Sequence, residues 1–342
     1  MVTIPNTVPL MHKDIIFLPS VEESSRQKVL NFVKDWISID KWLTVQTSGS
    51  TGEPKKIQLY KSKMKASANA TATFFKFKEN QTILLALSTD YIAGKMMIIR
   101  ALESKMKIIV APLQANPLLI DLPSKINFSA FVPMQVQTIL ADKKSKLNYQ
   151  NIDKVIIGGG LINETLEHQI QTLKNENFAT FGMTETISHI ALRNITKKEK
   201  HYTALPNVTL KTDHNNSLII NAPQICNHLL KTNDCIELKN DRQFIWKGRL
   251  DFVINSGGVK VHPENIEKKI LPFIPNNRFY VSSERDNLLG QKVVLKIESR
   301  TDFNIENLNI KLNQNLTKFE QPKVIYIVHQ FKETETGKII RE

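Results

Sequence analysis

Residues 47–56, TSGSTGEPKK, combine backbone freedom with hydrogen-bond donors and positive charge. Gly49 and Gly52 let backbone amides turn toward an anion. The hydroxyls of Thr47, Ser48, Ser50 and Thr51 add donors, and Lys55 adds charge. A Walker A loop needs a glycine, four residues and then Gly-Lys-Ser/Thr. Here Gly49 and Gly52 are three apart and Lys55 follows Glu53-Pro54, so the string reads as a phosphate-binding loop of another type. A solvated linker accounts for the glycines and hydroxyls but not for the Pro54-Lys55 that closes the run.

Three further strings suit related chemistry. GGGLI (158–162) ends one apolar run and TFGMTET (180–186) ends the next, so two adjacent strands stop in small residues. A crevice between Gly158-Gly159-Gly160 and Phe181-Gly182-Met183 can take a flat base. Thr184 and Glu185 at its mouth suit a phosphate and a magnesium ion, which prefers one or two carboxylates plus phosphate oxygens. WKGRLDFVINSGGVKVHPENIE (246–267) carries Arg249 and Asp251 and then Ser256-Gly257-Gly258, a series that an interdomain linker does not explain. The tail ETETGKIIRE ends the chain with Lys338 after Gly337; taken alone, this is a surface lysine.

These residues need a scaffold, and the pattern predicts one. TILLALS, KIIVAPL, FSAFVPM, KVIIGGG and FATFGMT read as buried strands. Between them AGKMMIIRALES, MQVQTILADKK and INETLEHQIQTLKN carry apolar residues at helical spacing. The alternation extends from about residue 60 to 245 and predicts an α/β domain with a parallel-rich sheet, its site at the carboxyl edge. After Arg249 the texture changes to a small α+β unit. Its parts are a helix in HPENIEKKIL, two strands around Gly290, a helix over about 304–316 and a strand in KVIYIVHQF. The expected domains are 1–248 and 249–342.

Composition narrows the classes. With 342 residues, 41% hydrophobic and 23% charged, the chain predicts a soluble globular protein of two domains. No run approaches a membrane span, and the first twenty residues carry Lys13 and Asp14 without a long apolar core. Neither membrane insertion nor a signal peptide is expected. Two cysteines, Cys226 and Cys235, give no disulfide framework, and the expected location is cytoplasmic. With His228 they match no zinc spacing. The net charge of +13 suits anionic partners, but the lysines are dispersed and no arginine-rich arm appears, so nucleic acid is not expected.

The four strings, in this order, resemble the adenylate-forming superfamily of acyl- and aryl-CoA ligases, luciferases and nonribosomal-peptide adenylation domains, from about residue 42 onward. The resemblance implies ATP, Mg²⁺ and coenzyme A as reactants and a small-molecule carboxylate as substrate. Ser48, Ser50, Thr51 and Lys55 would hold the pyrophosphate end, with Thr184 on phosphate and Glu185 on magnesium. Asp234 and Arg249 would bind the ribose hydroxyls, Asp251 would be the hinge, and Lys338 the lysine of the adenylation step. Ser256, Gly257 and Gly258 would border the coenzyme A path. Asn233 stands where the family usually has Gly, Phe252 where a second Asp is common, and Lys332 where proline is frequent.

The loop-like string begins at residue 47, far earlier than in full-size relatives, which implies that most of the first N-terminal subdomain is absent. In this the chain resembles compact o-succinylbenzoate–CoA ligases of menaquinone biosynthesis. STDYIAGKMMIIRAL (88–102) and FVPMQVQTIL (131–140) are similar to their substrate-pocket segments, with Tyr91 where many relatives have His. For a dianionic substrate the second carboxylate needs a partner, and Lys95 or the His189 and Arg193 pair are candidates. The plainer readings are a helix-surface lysine and a satisfied core histidine. Another acyl- or aryl-CoA ligase, or a noncatalytic nucleotide-binding relative, stays open as an alternative.

Overall fold

A computed structural model describes the chain except for residues 1–13, 47–55, 124, 161, 276, 302, 334–338 and 342, with Gln46 and Lys56 described by backbone alone. β1 (Ile15–Phe17) and α1 (Glu23–Ile37) precede an antiparallel ribbon of β2 (Trp42–Gln46) and β3 (Lys56–Tyr60), followed by α2 (Lys61–Phe75). Then come β4 (Thr82–Leu85), α3 (Ile92–Glu103), β5 (Lys107–Val110), β6 (Ile126–Phe131), α4 (Pro133–Ala141), α5 (Lys143–Gln150), β7 (Ile152–Ile157), α6 (Glu164–Gln171) and β8 (Glu176–Gly182).

The strands lie in the order β1-β5-β4-β6-β7-β8, all parallel. Every residue of β4 is buried, which is why it reads as a continuous apolar run and not as an alternating one. Close packing also dictates a glycine in α3. A Cβ on Gly94 would lie 2.2 Å from the Ser88 carbonyl oxygen, so no larger residue lets this helix approach the β4–α3 loop. The spacing of 134–144 predicts one helix, but Asp142 turns extended (φ −106°, ψ 131°) and accepts the Ser145 amide at 2.8 Å. One residue thus ends α4 and caps α5.

Strand–helix alternation stops at β8, well short of residue 245. The rest of the main sheet is antiparallel: β9 (His189–Asn194), β10 (Tyr202–Ala204), β11 (Thr209–Thr212), β12 (Ser217–Asn221), β13 (Leu230–Asn240) and β14 (Gln243–Arg249). They continue the sheet as β8-β9-β10-β14-β13-β12-β11. The cause is local. A parallel crossover needs a dozen or more residues, and the first four connections here are tight returns in which Ile187, Lys198, Asn207 and Asn216 take positive φ.

The remaining elements are β15 (Ile254–Ser256), β16 (Val259–Val261), α7 (Pro263–Ile270), β17 (Phe279–Asp286), β18 (Gly290–Glu298), α8 (Ile305–Asn315) and β19 (Val324–Val328). They form a second sheet, β16-β15-β18-β17, with β19 parallel to β18. Two separate apolar clusters result: one draws on residues up to Phe244, the other begins at Ile254 and centres on Ile266, Val281, Leu295 and Leu312.

Candidate active site

Thr47, Ser48, Gly49, Ser50, Thr51, Gly52, Lys55 and Lys338 lie outside the described residues. On either side of 47–55, β2 and β3 pair antiparallel as far as Gln46 opposite Lys56. On either side of 334–338, Glu333 and Ile339 form an antiparallel bridge.

Two of the three glycines after β7 have local reasons. A Cβ on Gly158 would lie 2.2 Å from Thr180 Oγ1 on the neighbouring strand, and Gly159 has φ +80°. Gly160 faces the Pro133 ring. At the end of β8, a Cβ on Gly182 would meet the Ser188 carbonyl oxygen at 2.4 Å and His189 Cα at 2.5 Å. The chain therefore doubles back tightly, and residues 184–186 form a single 3-10 turn. Thr186, fully buried, fastens that turn: its hydroxyl accepts the Met183 amide at 2.9 Å and lies 2.8 Å from the Ser188 carbonyl oxygen. The turn leaves Met183 and Glu185 exposed and Thr184 half-buried. The Cys226 thiol donates to the Glu185 carbonyl at 3.0 Å. Phe181 packs edge-on against Phe244, with centroids 5.0 Å apart.

Asp234 and Arg249 face each other across β13 and β14. The Trp246 indole donates to Asp234 Oδ1 at 2.8 Å. Burial raises the Asp234 pKa, while that hydrogen bond and the Arg249 charge oppose the rise. Asp251 is held at both oxygens: Asn233 Nδ2 donates at 2.8 Å and Arg249 Nη2 at 2.6 Å. The Asn233 that departs from the family's Gly thus has a partner, and Phe252 sits under the Arg249 guanidinium at 5.9 Å. Gly257 (φ +57°) and Gly258 (φ +81°) make the tight turn between β15 and β16, behind a buried Ser256. No atom of the described residues lies within 4 Å of a Cβ built on Gly258, so positive φ accounts for that glycine.

The candidates for a second carboxylate are differently placed. Tyr91, exposed, precedes α3. Lys95 Nζ donates to the Thr89 and Asp90 carbonyls at 2.6 and 3.2 Å and lies 5.7 Å over the Phe32 ring. Burial lowers its pKa, against the pull of Asp90 and Asp35. Arg193 already has its anion, with Nη1 and Nη2 donating to the two Glu167 oxygens at 2.7 and 2.8 Å. Burial disfavours its charge, but Glu167 and Tyr202 hold it firmly protonated. His189 is 5% exposed.

Beside His189 stands a residue that the sequence analysis did not single out. Arg100, on α3, is 2% exposed, and among the described residues no carboxylate pairs with it. Its contacts are neutral: Thr71 Oγ1 at 3.3 Å, Ser188 Oγ at 2.7 Å, His189 Nδ1 at 3.5 Å and Met97 Sδ at 3.8 Å. Burial pulls its pKa down to about 9, the mark of a charge without an anion, though it stays protonated at neutral pH. The network also sets a tautomer. Thr71 Oγ1 donates to the Ser67 carbonyl, so it accepts from His189 Nε2–H at 3.2 Å. That leaves the His189 Nδ1 lone pair toward Ser188 and Arg100. The available signal was one arginine inside the apolar run Met96-Met97-Ile98-Ile99-Arg100-Ala101-Leu102.

A family model described as "AMP-binding enzyme" matches residues 16–226. A curated 2-succinylbenzoate–CoA ligase of Staphylococcus epidermidis is 23% identical over 322 residues, covering 86% of this chain and 68% of that protein. One from Listeria monocytogenes is 25% identical over 320 residues, with the same coverage. Among solved structures, the o-succinylbenzoate coenzyme A synthetase of Bacillus subtilis, in complex with ATP and magnesium ion, shares the fold at a TM-score of 0.75 and 19% identity. The match covers 86% of this chain and 68% of that one. An acyl-CoA synthetase (AMP-forming)/AMP-acid ligase II-like protein from Dyadobacter fermentans is 33% identical, with a TM-score of 0.65 and 93% of both chains covered. With a family match over more than half its length, the chain belongs to the AMP-binding enzyme family.

Proposed function

We propose that the chain is an ATP-dependent carboxylate–CoA ligase of the adenylate-forming type, with 2-succinylbenzoate as its carboxylate substrate. In the first step a substrate carboxylate oxygen attacks the α-phosphorus of ATP, forming the acyl-adenylate and releasing diphosphate. In the second the coenzyme A thiol, losing its proton, attacks the acyl carbon and AMP leaves. The curated relatives bearing the name 2-succinylbenzoate–CoA ligase support the reading.

The single observation that carries the substrate assignment is Arg100. A buried guanidinium surrounded by neutral acceptors is costly unless an anion reaches it. It adjoins Ser188 and His189, immediately after the turn that carries Thr184 and Glu185. A dianion fits this arrangement: one carboxylate meets Arg100 and the other reacts at the nucleotide. Arg193 is neutralised by Glu167, whereas Arg100 meets no carboxylate among the described residues.

The first step brings an anion to an anion, so cationic groups and amides aimed at the phosphates dominate it. Residues 47–55 and Lys338 would supply them, while Asp234 and Arg249 orient the ribose. The exposed Glu185 carboxylate, unpaired among the described residues, suits a hard oxygen-seeking ion. Mg²⁺ held there would neutralise phosphate charge. A body of residues 1–248 and a small C-terminal unit of 249–342, pivoting at Asp251, would withdraw Lys338 for the second step and bring Ser256, Gly257 and Gly258 to the thiol's path.

The test is to supply 2-succinylbenzoate, ATP, Mg²⁺ and coenzyme A and to follow diphosphate and the thioester by mass. Absence of both refutes the reading. Equal turnover of a monocarboxylate redirects it to another acyl- or aryl-CoA ligase.

A further inference from the structure

Glu264, in the first turn of α7, is 4% exposed, and its Oε1 accepts the backbone N–H of Arg249 at 3.2 Å. Oε2 and His262 Nδ1 have no hydrogen-bond partner among the described residues. Both line the space over Gly248: a Cβ there would lie 2.6 Å from Glu264 Oε2 and 3.3 Å from His262 Nδ1. Gly248 has φ +141°, so the strand end is shaped to admit the carboxylate. One turn further along α7, Glu267 accepts from the Val281 amide and from Arg341 Nη2, both at 2.8 Å. The Arg341 guanidinium lies 5.0 Å over Phe252.

These contacts straddle residue 251. Arg249 precedes it in the chain and Glu264 follows it, so a rotation there that separates α7 from β14 must break the Glu264–Arg249 bond. The freed carboxylate must then be rehydrated, and the Arg249 amide loses its acceptor. We infer that Glu264 is a positioning residue, a strap that selects one orientation of the C-terminal unit and holds Arg249 at the nucleotide, and so sets the balance between the two half-reactions. The inference rests on the hinged two-step reading above. It goes beyond that reading in naming the contact that the motion has to break.

The test compares the intact chain with Glu264→Ala and Glu264→Gln in three measurements. These are diphosphate release from ATP and carboxylate, thiolysis of supplied acyl-adenylate by coenzyme A, and hydrogen exchange of the peptide spanning 245–253. A lost hydrogen bond to a charged group shifts a two-state balance by about tenfold. Glu264→Ala is therefore expected to change the ratio of the two half-reaction rates by about tenfold and to speed exchange in 245–253 while sparing β7. Glu264→Gln keeps an acceptor without the charge and moves both readouts the same way by about threefold, and it stands as the test if the alanine variant does not fold. Loss of both half-reactions by one common factor, or unchanged exchange in 245–253, overturns the strap. Wild-type protein that makes no acyl-adenylate refutes the proposed reaction, and the exchange measurement then decides on the strap by itself.

Discussion

Replacing Arg100 with methionine should make the free protein more stable and the enzyme less selective. Burial pulls the Arg100 pKa down to about 9, and keeping an unpaired ion out of water costs on the order of several kcal/mol. Relaxation and water entry reduce what a denaturation experiment sees, and replacing buried charges by apolar residues of similar volume typically gains about 1–4 kcal/mol. Methionine is unbranched and of comparable reach. The groups left behind keep partners: Thr71 Oγ1 retains the Ser67 carbonyl and His189 Nε2, and Ser188 Oγ stays 3.4 Å from His189 Nδ1. Urea denaturation of the ligand-free variant should accordingly show a gain in this range. With 2-succinylbenzoate, stranding the second carboxylate costs about 3–5 kcal/mol, or roughly 10²–10⁴ in kcat/KM. An analogue in which the spare carboxylate is a carboxamide should be handled almost equally by wild type and variant, closing a thermodynamic cycle on the pair. A variant less stable than wild type that still discriminates between the two compounds would show that Arg100 serves packing and not recognition.

Three other outcomes are expected. Burial, and then the Arg100 charge, hold the His189 pKa well below 6.5, so between the two values the unfolded chain binds more protons than the folded one. Stability linked to His189 is therefore constant above pH 6.5 and falls as pH drops below it, by up to about 1.4 kcal/mol per pH unit, and His189→Gln in urea titrations at pH 7.5 and 5.5 should show a shallower loss. Lys338→Ala should slow acyl-adenylate formation by about 10²–10³ and leave thiolysis of supplied acyl-adenylate nearly intact; equal damage to both half-reactions would refute this division of roles. Gly94→Ala forces a methyl against the Ser88 carbonyl oxygen at 2.2 Å and should cost about 1–3 kcal/mol by thermal denaturation, whereas Gly258→Ala meets no atom of the described residues and should cost only the strain of its positive φ, about 1–2 kcal/mol.

The division between what was legible in the sequence and what was not follows the range of the forces involved. Local chemistry announced itself. Continuous apolar runs became β4 to β8, Gly158-Gly159-Gly160 and Phe181-Gly182-Met183 fell at the ends of two neighbouring strands, and Ser256-Gly257-Gly258 became a turn because backbone sterics act within a few residues. The antiparallel half of the sheet escaped notice because its first four returns rest on Ile187, Lys198, Asn207 and Asn216, residues with little turn signature except the two asparagines. The charge assignments could not be read locally at all. Arg193 and Arg100 are both arginines in apolar surroundings, and only packing decides that Glu167 on α6 neutralises the first. Around the second, α2, α3 and the start of β9 bring only hydroxyls, an imidazole and a sulfur. Sequence thus determined which groups are present and where the parallel strands β4 to β8 and their glycine-bearing ends fall. Tertiary structure decided that Glu167 neutralises Arg193 while, among the described residues, no carboxylate reaches Arg100, because electrostatic pairing depends on distances of a few ångströms between segments far apart in the chain.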